Sequence, residues 1–206
     1  MADADAPCPT RSMTIVGDLA QTSTPAGASS WADVLQSHVD GRWRMAQLSV
    51  NYRTPAEIMA ATTELFAAHH PGLEPPRPVR SSGVAPWRLR TTLASLPQVV
   101  ADPGSELGPG LAVITPPRHR NRLTTALSVP LEPDLTRPLV VLTPALAKGL
   151  EFAAVLVVDP AEILAEPLGH NDLYVAMTRA TQQLGIVHPG PVPAVLSGVA
   201  DRSHAG

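Results

Sequence analysis

Apolar positions along this chain fall into two patterns. Short unbroken runs of Val, Leu, Ile and Ala alternate with stretches in which apolar residues recur every three or four positions. The first is the signature of strands and the second of amphipathic helices. Ser12 to Gly17 is a β-prone run that ends at Gly17-Asp18, a strand entering a loop. Thr22 to Ala28, small and polar with Pro25 and Gly27, reads as that loop. Ser29 or Ser30 caps a helix carrying Trp31, Val34, Leu35 and His38, with Asp33 in its first turn and Gly41 as its stop. A second β-prone run, Ala46 to Val50, ends in Asn51-Tyr52-Arg53. Thr54 then caps a helix with Pro55 at its first position and Glu57 three residues past the cap, which predicts a capping box. Ile58, Ala61, Leu65 and Ala68 give this helix an apolar stripe as far as His69.

From Pro71 to Pro86 the chain is proline-rich and lacks an apolar period, so it reads as an exposed connector. Trp87 to Leu93 alternates as a half-buried strand does. Leu111 to Ile114 is a short buried-type strand, followed by a helix from about Arg118 to Leu127. Leu139 to Leu142 and Ala153 to Val158 are continuous apolar runs, expected of parallel strands covered on both faces. Asn171 caps a helix through Leu173, Val175, Ala176 and Ala180, and Leu184 to Val187 predicts a final strand. The residues after Pro189 are rich in Pro, Gly and Ala and are expected to fray. Strands alternating with helices predict an α/β fold with a mainly parallel sheet flanked by helices.

Composition narrows the picture. At 206 residues, with 44% hydrophobic and 16% charged, the sequence has the length and composition of one globular domain and room for a piece of a second. The net charge of -3 excludes a wholly basic nucleic-acid coat, although not a local basic patch. No apolar stretch reaches membrane-spanning length, the acidic N-terminus has no apolar signal core, and cytoplasm is the expected compartment. Cys8 is the single cysteine, so neither an internal disulfide nor a cysteine zinc cluster can form. The seven histidines lack metal-ligand spacing. With 23 prolines and only seven aromatic residues, connections are stiff and the core is aliphatic. Lys148 is the only lysine, and it stands in Ala147-Lys148-Gly149. A phosphate-cradling loop of the form G-x-x-x-x-G-K-[ST] is therefore absent.

In parallel sheets ligands gather at the carboxyl ends of strands. Four polar clusters are expected there: Gly17-Asp18-Leu19-Ala20-Gln21, Asn51-Tyr52-Arg53-Thr54, Lys148-Gly149-Leu150-Glu151-Phe152 and Tyr174 to Ala180. Each alone has a bland reading as a turn, a helix cap, a loop or a solvated helix face. Together, in this order, they resemble motifs III, IV, V and VI of superfamily 1 helicases of the UvrD/Rep type. The resemblance runs from about residue 12 to residue 188. The wording of Gly17-Asp-Leu-Ala-Gln-Thr and Pro25-Ala-Gly-Ala-Ser-Ser-Trp31 looks most like the HelD branch, which associates with RNA polymerase.

The resemblance implies a RecA-like fold, with residues 1–45 a remnant of a first RecA-like domain, 46–190 the second such domain and 191–206 a flexible tail. It implies ATP with Mg2+ as cofactor, DNA or RNA as partner, a P-loop RecA-like domain as the complementary half, and RNA polymerase as a further partner. Gln21 would sense the γ-phosphate or its attacking water. Arg53 and Arg179 would clamp the γ-phosphate, since a planar guanidinium pairs bidentately with phosphate oxygens. Such arginine fingers contribute about 10³–10⁵ in rate. Glu151 would accept from the ribose, Tyr52 would stack near the adenine, and Gly17, Asp18 and Gly149 would shape the pocket. Lys148 and Gly149 would couple the nucleotide site to the nucleic-acid track.

The sequence also departs from the family pattern. Where motif V usually carries His and Asp, this chain has Ala145 and Ala153. The stretch from Thr54 to Lys148 is too short for the large domain inserted in UvrD, which favours the HelD branch. Too few residues precede Gly17 for the P-loop and Walker B segments, so the chain alone is expected to be inactive. Arg77, Arg80, Arg88, Arg90, Arg118, His119, Arg120 and Arg122 read either as a nucleic-acid or polymerase contact or as a solvated surface. The alternative to a motor half is a non-catalytic module that binds RNA polymerase or nucleic acid, or a truncated gene product.

Overall fold

The unbroken apolar runs become the centre of a six-stranded, wholly parallel sheet. The computed structural model describes residues 13–18, 30–39, 41–70, 73–102 and 107–202. In chain order its elements are α1 (Trp31–Val39), β1 (Val50–Asn51), α2 (Ala56–His69), β2 (Arg77–Pro78), β3 (Trp87–Arg90), α3 (Leu96–Ala101), β4 (Leu111–Ile114), α4 (Pro117–Ala126), β5 (Leu139–Leu142), α5 (Pro144–Ala147), β6 (Phe152–Val158), α6 (Pro160–Leu164), α7 (Gly169–Thr178), β7 (Ala180–His188) and β8 (Ala200–Asp201). The sheet runs β5-β4-β6-β7-β3-β8, while β1 and β2 form a separate two-stranded parallel ribbon.

Period-2 alternation in the central strands divides the core in two. Ala112, Ile114, Val155 and Val157 face one side, under α2, α6 and α7. Leu111, Val113, Leu156 and Val158 face the other, against Leu96 and Val99 of α3 and Leu123 of α4. Because both faces are covered, these strands show no polar alternation. The turn from α6 into α7 is so close that a Cβ on Gly169 would collide with the Ile163 carbonyl and the Leu164 backbone, so only glycine fits.

Several expectations are corrected. Residues 13–18 form no strand, and Val16 is 84% exposed. β-propensity does not make a strand without a neighbouring strand to complete its hydrogen bonds. For the same reason only Val50 and Asn51 of the run 46–50 and its continuation pair, with Arg77 and Pro78. Asn171 lies inside the first turn of α7, two residues past its start at Gly169. Residues 190–202 pack onto the fold. Leu196 is 1% and Val199 4% exposed, and β8 pairs with Trp87 and Arg88 of β3. Arg88 holds this end down through both oxygens of Asp201, at 2.7 and 3.1 Å, and through the Leu196 carbonyl. Residues 1–12 and 19–29, including Cys8, Gln21 and Pro25, lie outside the described residues.

The capping box at α2 does not form. Pro55 is the capping residue, and no side chain caps the helix. Instead Asn51 Oδ1 accepts from the backbone N–H groups of Arg53 at 2.9 Å and Thr54 at 3.0 Å, an Asx-type turn. Glu57 turns away to the connector, where its carboxylate accepts from the Ser81 hydroxyl and from the N–H groups of Ser82 at 3.1 Å and Gly83 at 2.9 Å. Arg80 in the same connector donates to the Thr181 carbonyl on β7. Residues 80–83 thus strap the start of α2 to the start of β7.

Two outcomes are expected. Leu196→Ala should destabilise the fold by about 2–5 kcal/mol in urea denaturation, since it empties a closed part of the core. The Glu57 carboxyl is held down from its ordinary 4.5 to about 2, first by the Ser81 hydroxyl and then by backbone N–H groups. The strap's contribution is therefore complete above pH 4.5 and is lost as pH falls toward 2. Carbon NMR of the carboxyl should show that low midpoint, and Glu57→Gln should remove this part of the acid sensitivity of the melting temperature.

Candidate functional site

The sequence-derived residues meet at the amino edge of the sheet, not the carboxyl edge. Glu151 immediately precedes β6 and Arg179 immediately precedes β7, and these strands start side by side with Phe152 opposite Ala180. The expectation that these clusters sit at carboxyl ends is thus overturned for motifs V and VI. The reason is the direction of the connections. α7 carries the chain from the carboxyl edge back to the amino edge, so its last residues arrive where β7 begins. The loop after α5 does the same for β6.

Arg53 leaves the Asx-type turn after β1 and places its Nε 2.6 Å from Glu151 Oε1, with the two side chains 44% and 46% exposed. Arg179 is 1% exposed. Its Nε donates to the Val175 carbonyl at 3.1 Å, Nη1 to the Leu150 carbonyl at 3.4 Å and Nη2 to the Thr178 hydroxyl at 3.3 Å. Thr178 in turn donates to the Tyr174 carbonyl at 2.8 Å. The reading of Arg179 as a solvated helix-face residue is therefore excluded. Phe152 N–H donates to the Arg179 carbonyl at 3.0 Å, so the backbone at 179 is held from both sides of the strand pair.

Electrostatics ties these groups to Asp18. Burial is the main force lowering the Arg179 pKa, the like charge of Arg53 adds to it, and Glu151, Tyr174 and Asp18 oppose it. Burial pushes the Tyr174 hydroxyl up to about 12, with Asp18 reinforcing and Arg179 opposing. One neighbourhood therefore holds Asp18, Arg53, Glu151, Tyr174 and Arg179, drawn from all four sequence clusters. Gly17 backs onto α1, where an added Cβ would come 2.9 Å from the Trp31 ring, consistent with Trp31 as a packing residue. Tyr52 projects outward, 75% exposed. Gly149 adopts φ +79, a conformation open to glycine, and leaves the loop before Glu151 uncrowded. Beside Glu151 lies an open groove of about 210 Å³ lined by Leu135, Arg137, Leu150, Phe152 and Ala153. Gln21 lies outside the described residues.

Other residues turn out to serve the fold. Thr143 accepts from the Leu146 N–H and caps α5. Arg80 and Arg88 are spent on the strap and the C-terminal strand, Arg118 pairs with Glu162 at 2.7 Å, and Arg120 donates to the Val141 and Leu131 carbonyls. Arg80, Arg88, Arg118 and Arg120 thus brace the fold, while Arg77, Arg80, Arg90, Arg118 and Arg122 remain exposed. Asp159, in a left-handed conformation, is buried at the carboxyl edge and pairs with His119 at 3.1 Å. Sequence reasoning missed the Leu150 carbonyl and the Glu57 strap. A backbone acceptor leaves no trace in residue identity, and Glu57 was spoken for by a more local pattern.

Among the described residues no group of three His, Cys, Asp or Glu is placed to hold a metal ion, and no helix is long and apolar enough to cross a membrane.

Comparisons with known proteins agree with this geometry. Residues 138–187 match the family model of the UvrD-like helicase C-terminal domain. The match spans β5 to β7 and includes Glu151 and Arg179. A solved structure described as the C-terminal domain of a possible DNA helicase from Lactobacillus plantarum WCFS1 is similar, with 27% sequence identity and a TM-score of 0.52. The alignment covers 76% of this chain and 96% of that one. No curated protein matches the chain. The mainly parallel sheet flanked by helices is RecA-like, and residues 138–187 are similar to part of a UvrD-like helicase C-terminal domain.

The two arginines should differ sharply in their effect on the fold. Arg179→Ala leaves the Leu150 and Val175 carbonyls short of a charged donor and should cost about 1–3 kcal/mol in chemical denaturation. Arg53→Ala breaks an exposed pair and should change stability by less than about 1 kcal/mol.

Proposed function

We propose that this chain is the second RecA-like portion of an ATP-dependent superfamily 1 helicase or translocase, working with a P-loop domain supplied by the same or another polypeptide. The observation that carries the reading is the meeting of Arg53, Glu151 and Arg179 at one edge of a helicase-like sheet, 2.6 Å separating Arg53 from Glu151 and Leu150 bonded to Arg179. Arg53 and Arg179 lie within electrostatic reach of each other, and a bound anion of high charge would offset their repulsion. The donor set suits the outer phosphates of ATP, whose terminal phosphoryl group would be transferred to water.

In this reading Arg53 and Arg179 offset charge on the transferring group, Gln21 orients the water, Tyr52 stacks by the base and Glu151 faces the ribose. Asp18, Gly17 and Gly149 shape the surroundings. Mg2+ would be held by the phosphates and the P-loop domain. The exposed apolar side chains of Ile15, Val16, Met45, Leu48 and Val50, on the polypeptide around Gly17 and Arg53, suit the surface against which such a domain would close. Nucleic acid is the expected track. The wording of Gly17 to Trp31 further favours the HelD branch, with RNA polymerase as partner and a cytoplasmic location.

The isolated chain should show only background ATP hydrolysis, because it lacks a phosphate-cradling loop. Steady-state turnover above background that survives both Arg179→Ala and Gln21→Ala would overturn the assignment.

A further inference from the structure

Consecutive residues hold the two arginines. The Leu150 carbonyl accepts from Arg179 Nη1, and the Glu151 carboxylate pairs with Arg53 Nε at 2.6 Å. The dipeptide is bracketed by a tight turn, closed by the Leu150 N–H on the Ala147 carbonyl at 3.1 Å, and by the sheet. Before it stand the exposed Lys148 and Gly149, with φ +79 and nothing within 4 Å of a Cβ position on Gly149. After it, Phe152 is locked into the sheet by its N–H on the Arg179 carbonyl and by its own carbonyl, which accepts from the Thr181 hydroxyl at 3.0 Å.

We propose that Leu150-Glu151 is a latch: the Glu151 carboxylate competes with an incoming polyphosphate for Arg53, and its displacement loosens Leu150 from Arg179, so that one event readies both guanidinium groups. The inference rests on the phosphate-binding reading above and adds to it a role for Glu151 that needs no ribose. A carboxylate at 2.6 Å occupies the Nε donor, so a phosphate that takes the guanidinium through Nε must displace it, and the two anions repel each other at close range. The pair is half exposed, so a polyanion can displace the carboxylate at small cost. Glu151 also offsets the mutual repulsion of Arg53 and Arg179, a duty that a bound polyphosphate would take over.

The test uses the full chain and inorganic tripolyphosphate, which has no ribose, in titration calorimetry. Glu151→Gln should bind roughly threefold to tenfold more tightly than the unaltered chain, the size expected from freeing a half-exposed pair and removing one nearby negative charge. Glu151→Asp should stay close to the unaltered chain, and Arg53→Ala should abolish the gain in the double variant with Glu151→Gln. Melting temperatures of each variant establish that the fold persists. Equal affinity for Glu151→Gln and the unaltered chain, or a gain that persists without Arg53, would overturn the latch. If Arg53→Ala and Arg179→Ala both leave tripolyphosphate affinity unchanged, the phosphate-binding reading itself fails. If they weaken it but Glu151→Gln does nothing, only the latch fails.

Discussion

The register of β6 against β7 is the constraint on which the site depends. With Phe152 opposite Ala180, the residues just before each strand, Glu151 and Arg179, start from neighbouring backbone positions and influence each other electrostatically. A slip of one residue would turn every side chain of β6 to the wrong face and separate that pair. From Ala154 onward the pairing is secured by burial, since Val155 and Val157 belong to one core and Ala154, Leu156 and Val158 to the other, and it shifts by one residue between Ala154 and Phe152. It is secured again at the edge itself by the Phe152 to Arg179 and Thr181 to Phe152 hydrogen bonds. Packing in the middle of the sheet aligns the two strands, and these edge hydrogen bonds set the pairing at the rim.

Burying an arginine is unfavourable unless its donors are met, and Arg179 meets them with two carbonyls and a hydroxyl, two of the three from its own helix. The remaining contact, to Leu150, couples the helix end to the loop before β6. Its charge is eased by Glu151 and Asp18 and raised in cost by Arg53. Such a group is poised more than it is comfortable, which is a common condition of sites that bind strongly charged ligands.

Arg53 reaches this edge from outside the main sheet, on the turn between β1 and α2. What brings it there is bracing and not strand pairing. Glu57 gathers Ser81, Ser82 and Gly83, and Arg80 reaches Thr181 two residues past Arg179. The C-terminal residues act likewise at the opposite sheet edge, where β8 extends the sheet beyond β3. Arginine is used throughout as a brace that reaches carbonyls several elements away, a job suited to its forked donors.

The sequence by itself determined the alternation of strands and helices, the two-faced burial of Leu139 to Leu142 and Ala153 to Val158, and the identities of the residues that gather at the site. Those features are carried by periodicity and by local motifs, which act over a few residues. Only the tertiary structure decided that the site lies at the amino edge, that Arg179 is buried while Arg53 is half exposed, that Glu57 joins the connector instead of capping α2, and that the residues after Pro189 complete the sheet. Each of these turns on a partner distant along the chain: Glu151 for Arg53, Ser81 for Glu57, Arg88 for Asp201. Residue identity says which bonds a side chain can make, whereas folding selects among the partners by the desolvation and entropy costs of bringing them together.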